Sequence, residues 1–276
     1  MKKHIYIISI SILFIFGIFL GYLSSTGRFQ TKNLQIPPFK EKPNTIRETP
    51  VYKSYKVPIL TYHYIEYPQN PDDTIRKSLT VLPSNFEAQI KLLLANNYTF
   101  ITPNDLYLGL KGKKELPQKC VIITFDDGYG DFYTDAYPII KKYKIPATVF
   151  MSTGLVNRPN YMTFAQIKEI LQNGFVEFGS HSWSHKNLTQ ISDKELDEEI
   201  VYGKKYFEDM FGVKLPYFAY PYGAYNQKVE DALKKAGFTL AMSMEGDKTK
   251  VHTLHNLFHL SRMKIGNVIN LVPYFP

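Results

Sequence analysis

Asp126 and Asp127, with His181 and His185, are the side chains of this sequence best suited to do chemistry together. Two adjacent carboxylates and two imidazoles offer three metal ligands and leave one carboxylate over. Two imidazoles plus one carboxylate keep coordination open for water and substrate, the pattern of a catalytic rather than a structural zinc. The spare carboxylate can then take a proton from activated water. That inventory describes a hydrolase. Each motif by itself says less, since Asp-Asp-Gly is an ordinary turn and two histidines four apart are common on surfaces. An EF-hand loop is excluded, because its spaced acidic run and terminal Glu are missing. Residues 254–259 also hold two histidines, but with no acidic partner close in sequence they are not read as a second metal site.

Groups so far apart in the chain need a framework that brings them to one place. Residues 120–125 (Cys-Val-Ile-Ile-Thr-Phe) form a continuous apolar run, as in strands buried on both faces of a parallel sheet. Further strands are expected at 57–62, 98–101, 147–151, 176–179, 217–220, 240–244 and 259–265. Between them, helical spacing predicts a helix capped by Ser84, one over 131–143 kinked or broken at Pro138, and one from Thr163 through 171. A long helix over 192–211 carries capping-box spacing at Ser192 and Glu195 and a terminator at Gly212. Another helix is expected over 227–236, and 66–80 reads as a surface loop. Strands alternating with helices imply an α/β fold with a parallel sheet, open or closed into a barrel. Both acidic and histidine motifs then fall at strand ends, where such folds gather catalytic groups. Gly128 and Gly179 supply the conformational freedom of tight exits there.

The 276 residues suffice for one substantial core, and the single Cys120 allows no intrachain disulfide. The net charge of +8 is concentrated near the start. Residues 1–57 hold nine basic and two acidic side chains, leaving 24 and 23 for the rest. The remainder is nearly neutral, which excludes the basic face that nucleic-acid binding requires. Residues 5–23 are apolar and long enough to cross a bilayer, and Lys2 and Lys3 before them favour a cytoplasmic N-terminus. Residues 1–27 are therefore expected to be an uncleaved anchor or a signal peptide, and either places the remainder outside the cytoplasmic membrane. Residues 28–57, with Pro37, Pro38, Pro43 and Pro50, read as an extended basic linker before a catalytic domain at 58–276. Its positive charge could contact anionic wall or lipid groups, or simply keep the linker soluble.

Thr124-Phe125-Asp126-Asp127-Gly128, His181-Ser182-Trp183-Ser184-His185 and Tyr220-Pro221-Tyr222-Gly223 together resemble the polysaccharide deacetylases, the NodB-homology domain of carbohydrate esterase family 4. The similarity runs from about 58 to 265. It implies a distorted (β/α)7 TIM-like barrel that removes acetyl groups from N-acetylglucosamine polymers. By motif position, Asp127, His181 and His185 hold a divalent metal (zinc, nickel or cobalt) and Asp126 is the base. The backbone N–H of Tyr222 joins the metal in stabilising the oxyanion.

Two departures mark a branch of the family. Ala219 stands where commoner members carry an arginine that orients the catalytic aspartate, and their late histidine motif is missing. Residues 58–65 (Pro-Ile-Leu-Thr-Tyr-His-Tyr-Ile), 218–223 and 260–265 instead resemble the poly-β-1,6-N-acetylglucosamine deacetylases of biofilm adhesin maturation. In that branch the early histidine, here His63, is the general acid; His255 and His259 are the alternatives. Arg262 is expected to replace the absent arginine by pairing with Asp126. Trp183, Tyr129, Tyr220, Tyr222 and Tyr225 lie in or beside the motifs, where they stack on sugar rings or pack the core. The expected partner is an extracellular hexosamine polysaccharide. Peptidoglycan or chitin-type β-1,4 chains are an alternative, and a non-catalytic glycan-binding module is another.

Overall fold

Eight strands, all parallel, follow one another around a nearly closed barrel in the computed structural model, which describes residues 53–70, 72–244 and 251–271. They are β1 (Ile59–Tyr62), β2 (Cys120–Phe125), β3 (Ala147–Met151), β4 (Val176–Ser180), β5 (Tyr217–Ala219), β6 (Leu240–Ser243), β7 (Leu260–Ser261) and β8 (Met263–Lys264). β1 to β7 are neighbours in chain order, and β8 pairs with β1, as Met263 with Leu60 and Lys264 with Thr61. β7 and β8 are separated by Arg262 alone, so one five-residue stretch leaves β6 and joins β1. Counted once, that stretch makes seven staves. A short strand, Thr99–Phe100, adds to the start of β2. The antiparallel pair of Tyr55–Lys56 with Val251–His252 lies outside the barrel sheet.

Side chains of a strand alternate between faces, and here each face has its own core. Leu60, Ile123, Phe125, Val149 and Phe178 join Phe86, Ile90 and Leu93 of the helix Pro83–Ala95 in the layer between barrel and helices. Ile59, Ile122, Phe150, Ala219, Met242 and Leu260 form the other cluster, which fills the barrel interior. Each fully buried Val, Leu, Ile, Phe or Met side chain among them contributes about 1.5–3 kcal/mol. Phe150 fits because of Gly179, where a Cβ would come within 2.6 Å of its ring. The same alternation carries Thr61, Thr124 and Asp126 inward, above this apolar floor.

Several helix boundaries differ from the sequence reading. Pro83, not Ser84, opens its helix at the first position, and the N-cap Leu82 makes no side-chain bond. Proline suits that position because its missing N–H has no intrahelical acceptor there. Pro138 causes no break: it sits in the first turn of Tyr137–Tyr143, after a π-helical turn over Phe132–Ala136. The segment 66–80 is not all loop. It contains the helix Thr74–Leu79, whose Arg76 forks onto Glu66 with two 2.6 Å bonds and lies over the Tyr64 ring. The helix Pro103–Leu110, with a capping box from Thr102 and Asp105, was not read from the sequence. The capping boxes at Thr163 and at Ser192 with Glu195 are present, and Gly212 ends its helix at φ +69°. That helix is interrupted by a π-helical turn, Glu198–Tyr202.

The apolar run 5–23 lies outside the described residues. No described helix is long and apolar enough to cross a membrane.

Candidate active site

The site lies at the C-terminal ends of the strands, the mouth of a parallel barrel. His63 follows β1, Asp126 and Asp127 follow β2, His181 follows β4, and Tyr222 comes three residues after β5. Arg262 stands at the junction of β7 and β8. The chain leaves these strand ends by unusual backbone conformations. Asp127, Ser182, His185 and Tyr222 all have φ between +60° and +69°, half of the non-glycine residues with positive φ among those described. Each such residue costs about 1–2 kcal/mol, and clustering at one mouth is the signature of a functional site. For Asp127 the turn has an evident purpose. Strict alternation would send it into the helix layer; φ +69° turns it to the rim instead.

Asp126 stays on the barrel axis, 3% exposed. Arg262 donates from both terminal nitrogens to its two oxygens, each at 2.7 Å, and from Nη1 to Thr124 Oγ1 at 3.2 Å. The guanidinium lies over the Phe150 ring, 5.3 Å from its centroid. Burial alone would raise the Asp126 pKa, but the Arg262 charge, then His181 and the Arg262 hydrogen bonds, outweigh it and hold the carboxyl well below the usual range. Asp126 is therefore ionised throughout the physiological range. Ala219, where commoner family members carry an arginine, is buried in the barrel interior, and the arginine reaching Asp126 stands between the last two strands instead.

Asp127 faces two imidazoles. Its Oδ1 lies 3.7 Å from His181 Nε2 and 3.3 Å from His185 Nε2, and one ligand atom from each residue falls within 4.8 Å of the others. Zinc bonds of the usual length put tetrahedral ligand atoms about 3.3 Å apart, so the donor set fits a zinc-sized cation. His181 donates from Nδ1 to the Ala219 carbonyl at 2.7 Å, which leaves Nε2 as the lone-pair nitrogen toward Asp127. Burial lowers the His181 pKa to about 3 and also lowers that of His185, so both are neutral donors near pH 7. Burial, then the Asp126 charge, pushes Asp127 up to about 6. A cation there would relieve that cost. The site fits a divalent metal with open coordination, which would polarise an acyl oxygen and acidify water.

His63 follows β1 at the same mouth, within electrostatic reach of Asp126, Asp127 and Arg262; burial lowers its pKa while the two carboxylates oppose the shift. The alternatives are placed elsewhere. His259 pairs through Nδ1 with Glu230 at 3.0 Å and stacks on Tyr225, and His255 is exposed on a surface turn. Tyr222 follows Pro221 in the first turn of a 3-10 segment, where amides have no intrahelical acceptor. Its ring is 68% exposed and meets His185 edge-on at 4.6 Å. Tyr220 is fully buried, with its hydroxyl donating to the Phe258 carbonyl, so it packs the core and cannot stack on a sugar. Tyr129 is held between Tyr64 and Tyr161, and Trp183 lies against Tyr202 and Tyr206.

Sequence reasoning missed Glu199. It is 2% exposed and accepts the Ser184 amide at 2.8 Å, inside the histidine motif. The signal was available. Leu196, Ile200, Gly203 and Phe207 form the buried stripe of the long helix, and Glu199 is an acid set into that stripe.

A parallel α/β barrel with a His-His-Asp metal site and an ionised carboxylate beside it defines a class, the metal-assisted hydrolases. The comparisons name the family. A family described as polysaccharide deacetylase matches residues 113–241. A Staphylococcus aureus poly-β-1,6-N-acetyl-D-glucosamine N-deacetylase is 34% identical over 204 residues, covering 69% of each chain. The Bacillus subtilis protein YxkH is 37% identical over 193 residues, 70% of this chain and 66% of its own length. Among solved structures, the Streptococcus pyogenes deacetylase PplD in complex with acetate superposes with a TM-score of 0.72 and 31% identity, over 80% of this chain and 96% of that one. The chain belongs to the polysaccharide deacetylase family, hydrolases that act on carbon–nitrogen bonds.

Proposed function

We propose that this protein is a metal-dependent N-deacetylase of an extracellular N-acetylglucosamine polymer, with poly-β-1,6-N-acetylglucosamine as its substrate. The observation that carries this reading is the Arg262–Asp126 pair, supplied from between the last two strands where Ala219 cannot supply it, with His63 at the same mouth. The 34% identity to a poly-β-1,6-N-acetylglucosamine deacetylase supports the choice of polymer.

Asp127, His181 and His185 would hold a divalent cation, which would supply Lewis acidity to acidify water and polarise the acetyl carbonyl. The protein's own groups do the rest. Asp126, kept ionised by Arg262, retains lone pairs beyond the two bonds it accepts and takes a proton from the attacking water. The Tyr222 N–H donates to the acyl oxygen as negative charge develops there. His63 in its protonated form gives a proton to the departing amine nitrogen. Acetate leaves, and the polymer gains an amine and positive charge. The apolar run 5–23 supports action outside the cytoplasmic membrane, tethered or released after cleavage.

The test is acetate release by the purified full-length chain, loaded with zinc, nickel or cobalt, from β-1,6- and β-1,4-linked N-acetylglucosamine oligomers, with Asp126→Asn as control. Release from the β-1,6 oligomers alone is expected. Release from β-1,4 oligomers alone would assign the protein to wall or chitin processing. Binding without release under every metal would make it a glycan-binding module.

A further inference from the structure

We infer that Glu199 is a positioning residue for the metal ligand His185, a role that rests on the metal site proposed above. His181 is carried by a barrel strand, but His185 is not. It sits four residues beyond, in a loop with φ +67° at Ser182 and +62° at His185 itself. Such a loop holds a ligand in place only if its own polar groups are tied down.

They are, from two sides. On one side the backbone of Thr153 and Gly154 donates to the carbonyls of Ser182 and Trp183 at 3.0 and 2.8 Å. Within the loop the Ser182 hydroxyl accepts the His185 amide at 2.9 Å. On the other side stands Glu199. Its Oε2 accepts the Ser184 amide, its Oε1 accepts the Ser184 hydroxyl, and Lys186 Nζ lies 3.8 Å from Oε1. Ser184 and Lys186 are the residues immediately before and after His185. One buried carboxylate therefore hydrogen-bonds the residue before the ligand and lies within ion-pair reach of the residue after it, whose own hydrogen bond goes to Glu195 at 3.4 Å. The two hydrogen-bond donors are an amide and a hydroxyl, with an ammonium nearby, so an acceptor-only carboxylate suits them better than an amide side chain.

The helix is built to deliver it. Glu199 lies in the π-helical turn Glu198–Tyr202, a wide turn that breaks the regular helical register and occurs often at functional sites. Directly after it, Gly203 lets the helix come close to the loop. A Cβ there would stand 2.9 Å from Thr153 Oγ1 and 3.3 Å from Trp183 Cα.

Zinc affinity of the full-length chain, measured by competition with a chromophoric chelator, tests the assignment without reference to substrate. Glu199→Ala is expected to weaken zinc binding by about 10–100-fold, the range for groups that orient metal ligands. The same substitution in a His185→Ala background is expected to add no further loss, because the residue through which Glu199 acts is already gone. Glu199→Gln, which keeps the volume and one acceptor oxygen, runs the same cycle if the alanine variant fails to fold. Unchanged affinity in the wild-type background, or equal losses in both backgrounds, would overturn the role, the second outcome marking a general structural contribution. A wild-type chain that bound no zinc would overturn the metal site along with it.

Discussion

Asp126 points down the barrel axis, where Arg262 meets both its oxygens; Asp127, one residue later, turns to the rim and faces two neutral imidazoles. Identical side chains on adjacent residues thus end in opposite electrostatic surroundings. Both are buried. On the axis a fixed cation overcomes burial and depresses the pKa; at the rim no fixed protein cation does so, and the value rises to about 6. The difference comes from one left-handed backbone residue and one arginine. On the proposed mechanism it would also divide the labour: the axis would keep a charged proton acceptor, while the rim would keep a charge for a bound metal to neutralise.

The largest expected effect tests the axis alone. His63→Ala should lower turnover about 1,000-fold, within the range for a lost general acid, while zinc content by elemental analysis stays as in wild type. Loss of zinc from that variant would dissolve the separation of axis from rim. Next comes Arg262→Met, which leaves the buried Asp126 carboxylate unpaired. Turnover is expected to fall about 100-fold, and the acid limb of the pH–rate profile should move to higher pH, because burial then loses its largest opposing influence. Breaking such a buried pair also costs about 3–5 kcal/mol, readable by urea denaturation. An unmoved acid limb would show that Arg262 does not set the Asp126 charge.

The rim is tested by pH and chelation. His181 and His185 have folded-state pKa values below their unfolded ones, so their contribution to stability is lost as pH falls below about 6.5. His63 acts with them and Asp127, raised to about 6, acts against them down to its unfolded value. Asp131, which burial pushes up to about 7, also acts against the histidines, so the metal-free chain between pH 7.5 and pH 5 serves as the baseline. The zinc-loaded chain should show a steeper loss, since protons compete with zinc for the ligands. Parallel melting curves for the two forms would remove the metal from the rim. The smallest effect concerns the floor of the axis. Gly179→Ala, by pressing on Phe150, should cost about 1–3 kcal/mol of stability with little change in zinc affinity.

The barrel was legible because its strands are short apolar runs at regular intervals, and Cys120–Phe125 was read to the residue. The motif residues were legible as a set because strand ends bring them together. The Arg262–Asp126 pair was reached only through the family resemblance, for a charge 136 positions away leaves no local trace. The helix Thr74–Leu79 was hidden because its stability comes from Arg76 docking on Glu66 and Tyr64, not from an apolar stripe. The π-helical turns escaped for a related reason. They are one-residue adjustments of register, set by what the helix must pack against rather than by its own composition.

The five residues from Leu260 to Lys264 also impose an order of events on the growing chain. Until the ribosome has passed position 262, the barrel has an open seam between β6 and β1, and Asp126 has no arginine. On the proposed mechanism, shape and chemical competence would be completed by the same few residues.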